Sequence, residues 1–369
     1  MLRSDSPSRY TPRHRAEGSG RRSKRPALFA ALALVLIALV GAGGYVGNLL
    51  TTFSAKANTV DAGLAGRQVN DVDGSRNILL LGSDSRGDGQ DVASVKGEDG
   101  KRSDTMMLVH IPKDRSGIYV MSLVRDLWVD VPGHGERKIN AAYNIGGYPL
   151  VVDTVEDLLG TQIDNVASID FGGFSALTEA LGGVTVDNPR AFCTGHTHPT
   201  CFEAGTTHLE GNEALRFVRE RKAFAEGDFQ RVQNQQLFIK AVLKDFLNPA
   251  TLSNPVKVHS IVDKFSEYIT VDQTLDGATI AGLAVELKDV RTRDVHFFTI
   301  PTGPPGEGPG GAEIILQDEE ALAALRTALR TDTLDEFVTS GIGTNAYGGA
   351  ISNEVVADPA APETPQAGE

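Results

Sequence analysis

Apolar positions in the middle of the chain fall into short runs separated by turn sequences. Asn77 to Leu81 is one such run, ended by Gly82, and predicts a strand buried on both faces. "TMMLVHI" (105–111) and "IYVMSLV" (118–124) flank "PKDRSG", a strong turn sequence, so they predict an antiparallel hairpin. In the register that this turn sets, Ile111 faces Ile118 and Asp104 lies opposite Arg125. If the first run points the same way as the third, Asp84 and Arg86 reach the same end of the sheet.

The period then lengthens to that of a helix. "YPLVVDTVEDLLG" (148–160) and "GFSALTEALGG" (173–183) each end in glycine, a natural helix stop, and "GNEALRFVRE" (211–220) is also helical. From Asp228 to Phe246 the apolar positions are Phe229, Val232, Ile239, Leu243 and Phe246, spaced as one face of an amphipathic helix. Asp228, Arg231 and Gln235 form a second stripe beside it. "TGPPGEGPGG" (302–311) reads as a surface loop. No internal repeat is present. The pattern predicts a single α/β domain over residues 76–341, a central mixed β-sheet with helices on both sides.

The ends differ in composition from this region. Residues 1–26 are rich in Ser, Arg and Pro and read as a disordered tail. Residues 27–48 contain the uncharged run Ala27 to Val46, long enough to cross a bilayer core of about 30 Å. Residues 49–75 read as a stalk, and 342–369, ending "ADPAAPETPQAGE", as a second disordered tail.

Charge adds a topology. Residues 1–25 carry eight basic residues against Asp5 and Glu17, a net +6, so a chain total of -13 leaves -19 for the rest. A basic flank before an apolar span keeps the N-terminus in the cytoplasm and sends the domain outside the cell membrane as a single-pass protein. A cleaved signal peptide is the alternative. An exported domain of that negative charge argues against nucleic acid as a partner, and the basic tail fits anionic membrane lipid instead. The two cysteines, Cys193 and Cys201, lie in "CTGHTHPTC". An oxidising compartment favours a disulfide between them; zinc held by both together with His196 and His198 is the alternative.

The segment "RFVRERKAFAEGDFQRVQNQQ" (216–236) concentrates four arginines and a lysine in this acidic chain. Arginine's planar fork binds two phosphate oxygens at once, and a helix N-terminus favours an anion. A solvated charged face is the bland reading. Gln233, Gln235 and Gln236 are ordinary helix formers and add little to either.

Five ordered motifs sharpen the choice: "GSDSR" (82–86), "RSDTMMLVHI" (102–111), "SLVRD" (122–126), "KINAAYNIGG" (138–147) and "RERKAFAEGDFQRVQNQQ" (219–236). With them the sequence resembles the LytR–CpsA–Psr (LCP) family of cell-envelope phosphotransferases over about Asn77 to Phe298. The resemblance implies the LCP-type fold and an enzyme. Such an enzyme moves a glycopolymer (teichoic acid, capsule or arabinogalactan) from a polyprenyl-pyrophosphate carrier to peptidoglycan through a phosphodiester. It implies Asp84 and Asp104 near a Mg²⁺ (or Mn²⁺) ion. Arg86, Arg102, Arg125, Lys138, Arg219, Arg221, Arg231 and Gln235 match positions on or around the pyrophosphate. Asp104, Arg125 and Asp228 match catalytic positions, and Asn140 and Tyr143 belong to the "KIN" motif. Two residues depart from the pattern: Val124 stands where proline is frequent, and Asn234 where a second basic residue is, leaving the pocket one charge weaker.

The chemistry agrees with the resemblance. Phosphoryl transfer depends on positioning and charge stabilisation, so carboxylates beside a pyrophosphate need a divalent cation between them, and arginines cover the remaining oxygens. The base for the acceptor hydroxyl is Asp228 or Asp104. A non-catalytic protein that binds polyprenyl-linked polymer, or a pyrophosphate hydrolase, is the competing reading. "DSRGDGQ" from Asp84 is not a calcium loop, because Val95 stands at its twelfth position. His110, inside an apolar strand, reads as a satisfied core histidine.

Overall fold

The computed structural model describes residues 43–67, 74–83, 103–195 and 199–341, with backbone only at Ser83, Ser103, Asp104 and Phe171. The chain divides into two units, Met1–Asn48 and Leu49–Glu369. Of the first, only residues 43–48 are described, and they are helical. Most of the expected membrane anchor, both predicted disordered tails, and Asp84, Arg86 and Arg102 lie outside the described residues. Among the described residues no helix is long and apolar enough to cross a membrane.

Along the second unit, strands β1 (Asn58–Val60), β2 (Arg76–Ser83), β3 (Ser103–Ile111) and β4 (Ile118–Leu123) come first. The small hairpin β5 (Trp128–Val131) and β6 (Gly135–Lys138) leads to helix α1 (Ala141–Leu159), strand β7 (Asn165–Asp170) and helix α2 (Phe171–Leu181). Four short strands follow, β8 (Val184–Asn188), β9 (Phe192–Thr194), β10 (Thr200–Phe202) and β11 (Gly205–Leu209), then helices α3 (Gly211–Arg219) and α4 (Asp228–Phe246). The chain continues through α5 (Pro255–Phe265), β12 (Ile269–Asp272), α6 (Gly277–Glu286), β13 (Val295–Thr299), β14 (Thr302–Glu307) and β15 (Glu313–Gln317). It closes with α7 (Glu319–Thr331) and α8 (Leu334–Ser340).

Seven strands form one sheet in the order β1-β12-β7-β2-β3-β4-β13. Parallel and antiparallel neighbours alternate irregularly, so the sheet is mixed. Successive side chains of a strand point to opposite faces, and here both faces are apolar. Leu79, Leu81, Met106 and Leu108 join Val151, Val155, Leu322 and Leu325 in one core. Leu80, Met107, Val109 and Val120 pack on the other side with Ile239 and Leu243 of α4. That two-sided burial explains why β2 reads as a continuous apolar run instead of an alternating one.

The β3–β4 hairpin takes the register that its turn implies, from Met106 against Leu123 to His110 against Tyr119. β2 is antiparallel to β3 and so points the same way as β4. Both carry the chain to one edge of the sheet.

Three expectations change. The segment taken as a stalk contains β1, which pairs in parallel with β12, and buries Ala62 and Leu64. Its polar composition hides a short edge strand. The loop expected at 302–311 is largely a hairpin, β14 against β15, with a register shift between Thr302 and Pro305. Proline is tolerated at such an edge because its missing N–H faces away from the partner. Helix α1 begins at Ala141 instead of Tyr148 and absorbs the "GG" signal as a kink at Gly147, whose φ of 64° only glycine adopts readily.

Cys193 and Cys201 face each other across β9 and β10 and are joined by a disulfide. His196 and His198, of the zinc alternative, lie outside the described residues.

Candidate active site

The strand ends, α3 and α4 enclose a cavity of about 450 Å³. Its walls are mostly apolar: Leu80 and Met107 of the sheet, Phe174 of α2, Phe238 and Ile239 of α4, and Phe265 of α5. Four arginines share the lining with Gln235 and Asp170: Arg125, Arg219, Arg221 and Arg231. Arg125 lies 106 positions before Arg231 in sequence, and the fold brings them to one place.

Each arginine is delivered by a local device. Arg125 follows β4, and its loop is held by the "KIN" segment: Ile139 N–H donates to the Leu127 carbonyl at 2.8 Å and Asn140 N–H to the Arg125 carbonyl at 3.3 Å. Arg219 ends α3, and Arg221 sits in the turn after it. The Glu220 carboxylate shapes that turn, since one of its oxygens accepts from the N–H groups of Arg221 (3.1 Å), Lys222 (2.7 Å) and Ala223 (3.0 Å). Arg231 stands in the first turns of α4, which starts after Gly227 at φ 55°, a value that favours glycine.

Arg231 is only 3% exposed. A buried guanidinium needs a counter-charge, and Asp228, three residues earlier, puts Oδ1 2.6 Å from Arg231 Nη2. Burial pushes the Asp228 carboxyl above the usual carboxylate range, and neighbouring Asp126 pushes the same way; Arg231, Arg125 and Arg221 pull against both. Asp228 is not among the residues that line the cavity. Its carboxylate pairs with Arg231 and is also drawn by Arg125 and Arg221.

Asp170, on the cavity wall, caps α2 by accepting from Gly173 N–H at 2.8 Å. Burial raises its carboxyl, against the pull of the Gly173 and Gly172 N–H groups.

The bland reading of 216–236 as a solvated face does not describe α4. Gln230, Arg231, Asn234, Gln235 and Gln236 are all buried. Two of the amides expected to add little, Gln235 and Gln236, are fasteners, as is Asn234. Asn234 Nδ2 and Gln235 Nε2 donate at 3.4 Å to the Phe217 and Val218 carbonyls, in the last turn of α3 where carbonyls lack helical partners. Gln236 Nε2 donates to Ser122 Oγ at 2.8 Å and to Thr299 Oγ1 at 3.4 Å, tying α4 to β4 and β13. Asn234 therefore faces α3, and it is not part of the cavity lining that the expected loss of charge would concern.

Other predicted residues sit further back. Lys138 Nζ lies 3.0 Å from Asp126 Oδ1, and Arg125 Nε 3.6 Å from the same oxygen. Asp126, the last residue of "SLVRD", is thus a carboxylate between two predicted cations. Its place in the motif is the only signal that the sequence offers for it. Tyr143 is buried in the core and meets Tyr148 edge to face at 5.2 Å. Neither Lys138, Asn140 nor Tyr143 lines the cavity.

The acids called for a metal lie partly outside the described residues. Asp84 is among those, and at Asp104 only the backbone is described. The backbone register bears on them nonetheless. Gly82 pairs with Thr105 and Ser83 with Ser103, so Asp104 is the extra residue of a bulge, and Gly82 and Thr105 line the cavity. A bulge at a strand end re-aims a side chain. Among the described residues no group of three or more acidic, histidine or cysteine side chains is arranged to hold a metal.

With this geometry in view, residues 46–331 match the LytR_cpsA_psr family. The chain belongs to that family. It is 29% identical over 328 residues to a Corynebacterium glutamicum protein named "Cell wall biosynthesis protein LcpA", with 77% of this chain and 61% of that protein aligned. It is 34% identical over 238 residues to "Polyisoprenyl-teichoic acid--peptidoglycan teichoic acid transferase TagU" of Halalkalibacterium halodurans, covering 61% of this chain and 73% of the relative. Among solved structures, Bacillus subtilis TagV superposes with a TM-score of 0.59 at 28% identity, over 71% of this chain and 98% of TagV. The chain thus spans less than two thirds of the Corynebacterium protein and nearly all of TagV.

Proposed function

We propose that this protein transfers a cell-wall glycopolymer from a polyprenyl-pyrophosphate carrier to peptidoglycan, leaving a phosphodiester link. One observation carries the reading: four arginines meet on a cavity whose other walls are mostly apolar. A pyrophosphate ester of a long hydrocarbon has that same division, anionic at one end and oily at the other. The names of the relatives, a cell-wall biosynthesis protein and a teichoic acid transferase, support the substrate class.

In this reading Arg125, Arg219, Arg221 and Arg231 bind the pyrophosphate oxygens, and the charge growing on them in the transition state strengthens that contact. An acceptor hydroxyl oxygen bonds to the polymer-bearing phosphorus. The bond from that phosphorus to the bridging oxygen breaks, and polyprenyl phosphate leaves. The hydroxyl proton passes to a carboxylate, that of Asp104 or Asp228. Asp228 keeps Arg231 in place. Asp84 and Asp104 would hold Mg²⁺, and a divalent cation there would neutralise phosphate oxygens. The run Ala27 to Val46 would anchor the protein in the membrane that contains the carrier, with the domain outside.

The test uses the full chain in detergent with a polyprenyl pyrophosphate, measuring binding and phosphate release with and without Mg²⁺. Tight binding that an Arg219→Ala, Arg221→Ala double variant loses supports the reading. Equal binding by both proteins sinks it. Binding without turnover in the presence of peptidoglycan and polymer-loaded carrier would move the protein to the class of non-catalytic binders.

A further inference from the structure

A second cavity, of about 430 Å³, shares Leu215 and Arg219 with the first. Its remaining walls are Thr194 of β9 and Asn212, Arg216 and Glu220 of α3 and its end. The two cavities differ in chemistry. The arginine-lined one is chiefly hydrocarbon, whereas five of the six side chains around the second are polar.

This groove is preformed. Arg216 Nη1 donates to Thr200 Oγ1 at 2.8 Å, which ties α3 to β10. Thr200 pairs with Thr194, and the neighbouring pair is the disulfide Cys193–Cys201. The hairpin wall is therefore cross-linked to itself and bonded to the helix that carries Arg219. Glu220 commits one carboxylate oxygen to three backbone N–H groups, so its position is fixed as well. The result is a groove with an amide, a hydroxyl, a carboxylate and two guanidinium groups. Planar amides and charged forks recognise vicinal hydroxyls, and a rigid wall avoids the ordering cost of binding.

We propose that the groove is a saccharide subsite, with Asn212 and Arg216 as its specificity-determining residues. The proposal rests on the pyrophosphate reading of the first cavity. There, a sugar in the groove lies beside the phosphorus because Arg219 belongs to both walls. Two sources have that chemistry: a sugar of the peptidoglycan acceptor, and the first sugar of the polymer on the carrier.

Three probes on the full-length protein separate the outcomes: polyprenyl pyrophosphate without sugar, the same lipid carrying one N-acetylhexosamine, and a peptidoglycan tetrasaccharide. Each is titrated against wild type, Asn212→Trp, which fills the groove, and Arg216→Gln, which weakens the tie to Thr200. Asn212 is exposed in the first turn of α3, and circular dichroism and melting temperature confirm that its variants fold. The bare lipid binds all three proteins equally. At least one sugar probe weakens roughly tenfold or more in both variants, by occlusion in Asn212→Trp and by the loss of about one charge-assisted hydrogen bond in Arg216→Gln. Loss with the tetrasaccharide assigns the groove to the acceptor. Loss only with the sugar-bearing lipid assigns it to the donor. Wild-type affinity of both variants for both sugar probes overturns the proposal, as does failure of wild type to bind either sugar. Failure of wild type to bind the bare lipid overturns the pyrophosphate reading instead, and the tetrasaccharide titration then decides the groove by itself.

Discussion

Two buried polar clusters lie at opposite ends of β2 and β3, and they are built on different principles. At the Asn77 end, His110 places Nδ1 2.8 Å from Asn77 Oδ1 and Nε2 3.0 Å from Asp332 Oδ1. Asn77 donates from Nδ2 to the Gln162 carbonyl at 2.8 Å and to Thr161 Oγ1 at 3.0 Å, and its N–H meets Asp164 Oδ2 at 2.7 Å. At the Gly82 end the groups are charged, and neither oxygen of Asp228 has a hydrogen bond of good geometry among the described residues, despite Arg231 2.6 Å away. The first cluster is closed on itself and fastens the C-terminal helices to the sheet. The second is strained by burial and opens on a cavity. A polar group buried for stability is satisfied by its neighbours, whereas the charged groups at the Gly82 end include four arginines that line a cavity.

The largest effects should come from breaking the second cluster. In the Arg219→Ala, Arg221→Ala protein we expect turnover to fall by a factor of about 100 to 1,000 or more, the usual loss when transition-state donors are removed. Both residues are outside the core clusters, so the melting temperature should move little. A large drop in stability would mean that they serve the fold, and the contrast would fail. His110→Ala should do the opposite. Removing a buried ring that bridges two partners leaves both unsatisfied and should cost about 2–4 kcal/mol of stability. Turnover per folded molecule should stay near wild type, measured by chemical denaturation beside an activity assay. A turnover loss in fully folded protein would merge the two clusters into one functional unit.

Much of this contrast is legible in the sequence, and the gaps have physical causes. The β3–β4 register follows from one turn, because a short turn between two apolar runs leaves little freedom in pairing. Helix α4 follows from five apolar positions. Arg125, Arg219, Arg221 and Arg231 were grouped by motif and do meet. What the sequence hides is direction. Helical spacing places Gln235 beside Arg231, but only the packing of α3 and β4 against α4 makes Gln235 and Gln236 buried fasteners instead of solvated formers. Asp228 illustrates the same limit: the resemblance makes it a catalytic position, and only the fold shows its carboxylate buried against Arg231. Asp126 was passed over because a carboxylate beside an arginine is common on any surface. β1 was missed because three polar-flanked residues at an edge make no pattern.

A pH titration sharpens the comparison at moderate cost. The Asp228 carboxyl titrates above its unfolded value because burial disfavours its charge. A raised native value means that stability from this group is fully present below the unfolded value and is lost as pH rises through the native one. Function runs the other way, since only the carboxylate holds Arg231. As pH falls through the raised value, lipid-pyrophosphate affinity should decline while the melting temperature gains from this group. In Asp228→Asn the acid limb attributable to it should vanish, with affinity lowered at neutral pH. An acid limb unchanged in that variant would place the titrating group elsewhere.

The smallest effect is expected where the second cluster is fastened to the sheet. Gln236 Nε2 bonds Ser122 Oγ at 2.8 Å, both atoms buried, at the end of β4 just before Arg125. Gln236→Leu strands that hydroxyl and should cost about 1–3 kcal/mol, because an unsatisfied buried group carries its full desolvation penalty. Ser122→Ala alone strands one amide proton while the amide keeps Thr299 Oγ1 within 3.4 Å, so about 1 kcal/mol is expected. The double variant should then be less unstable than the two singles added together, since replacing both partners with apolar groups removes the penalty along with the bond. Strict additivity would show that the bond carries no coupling. Coupling with unchanged turnover would make it a fastener of the fold, and coupling with lowered turnover would mean that it sets the distance between Arg125 and Arg231.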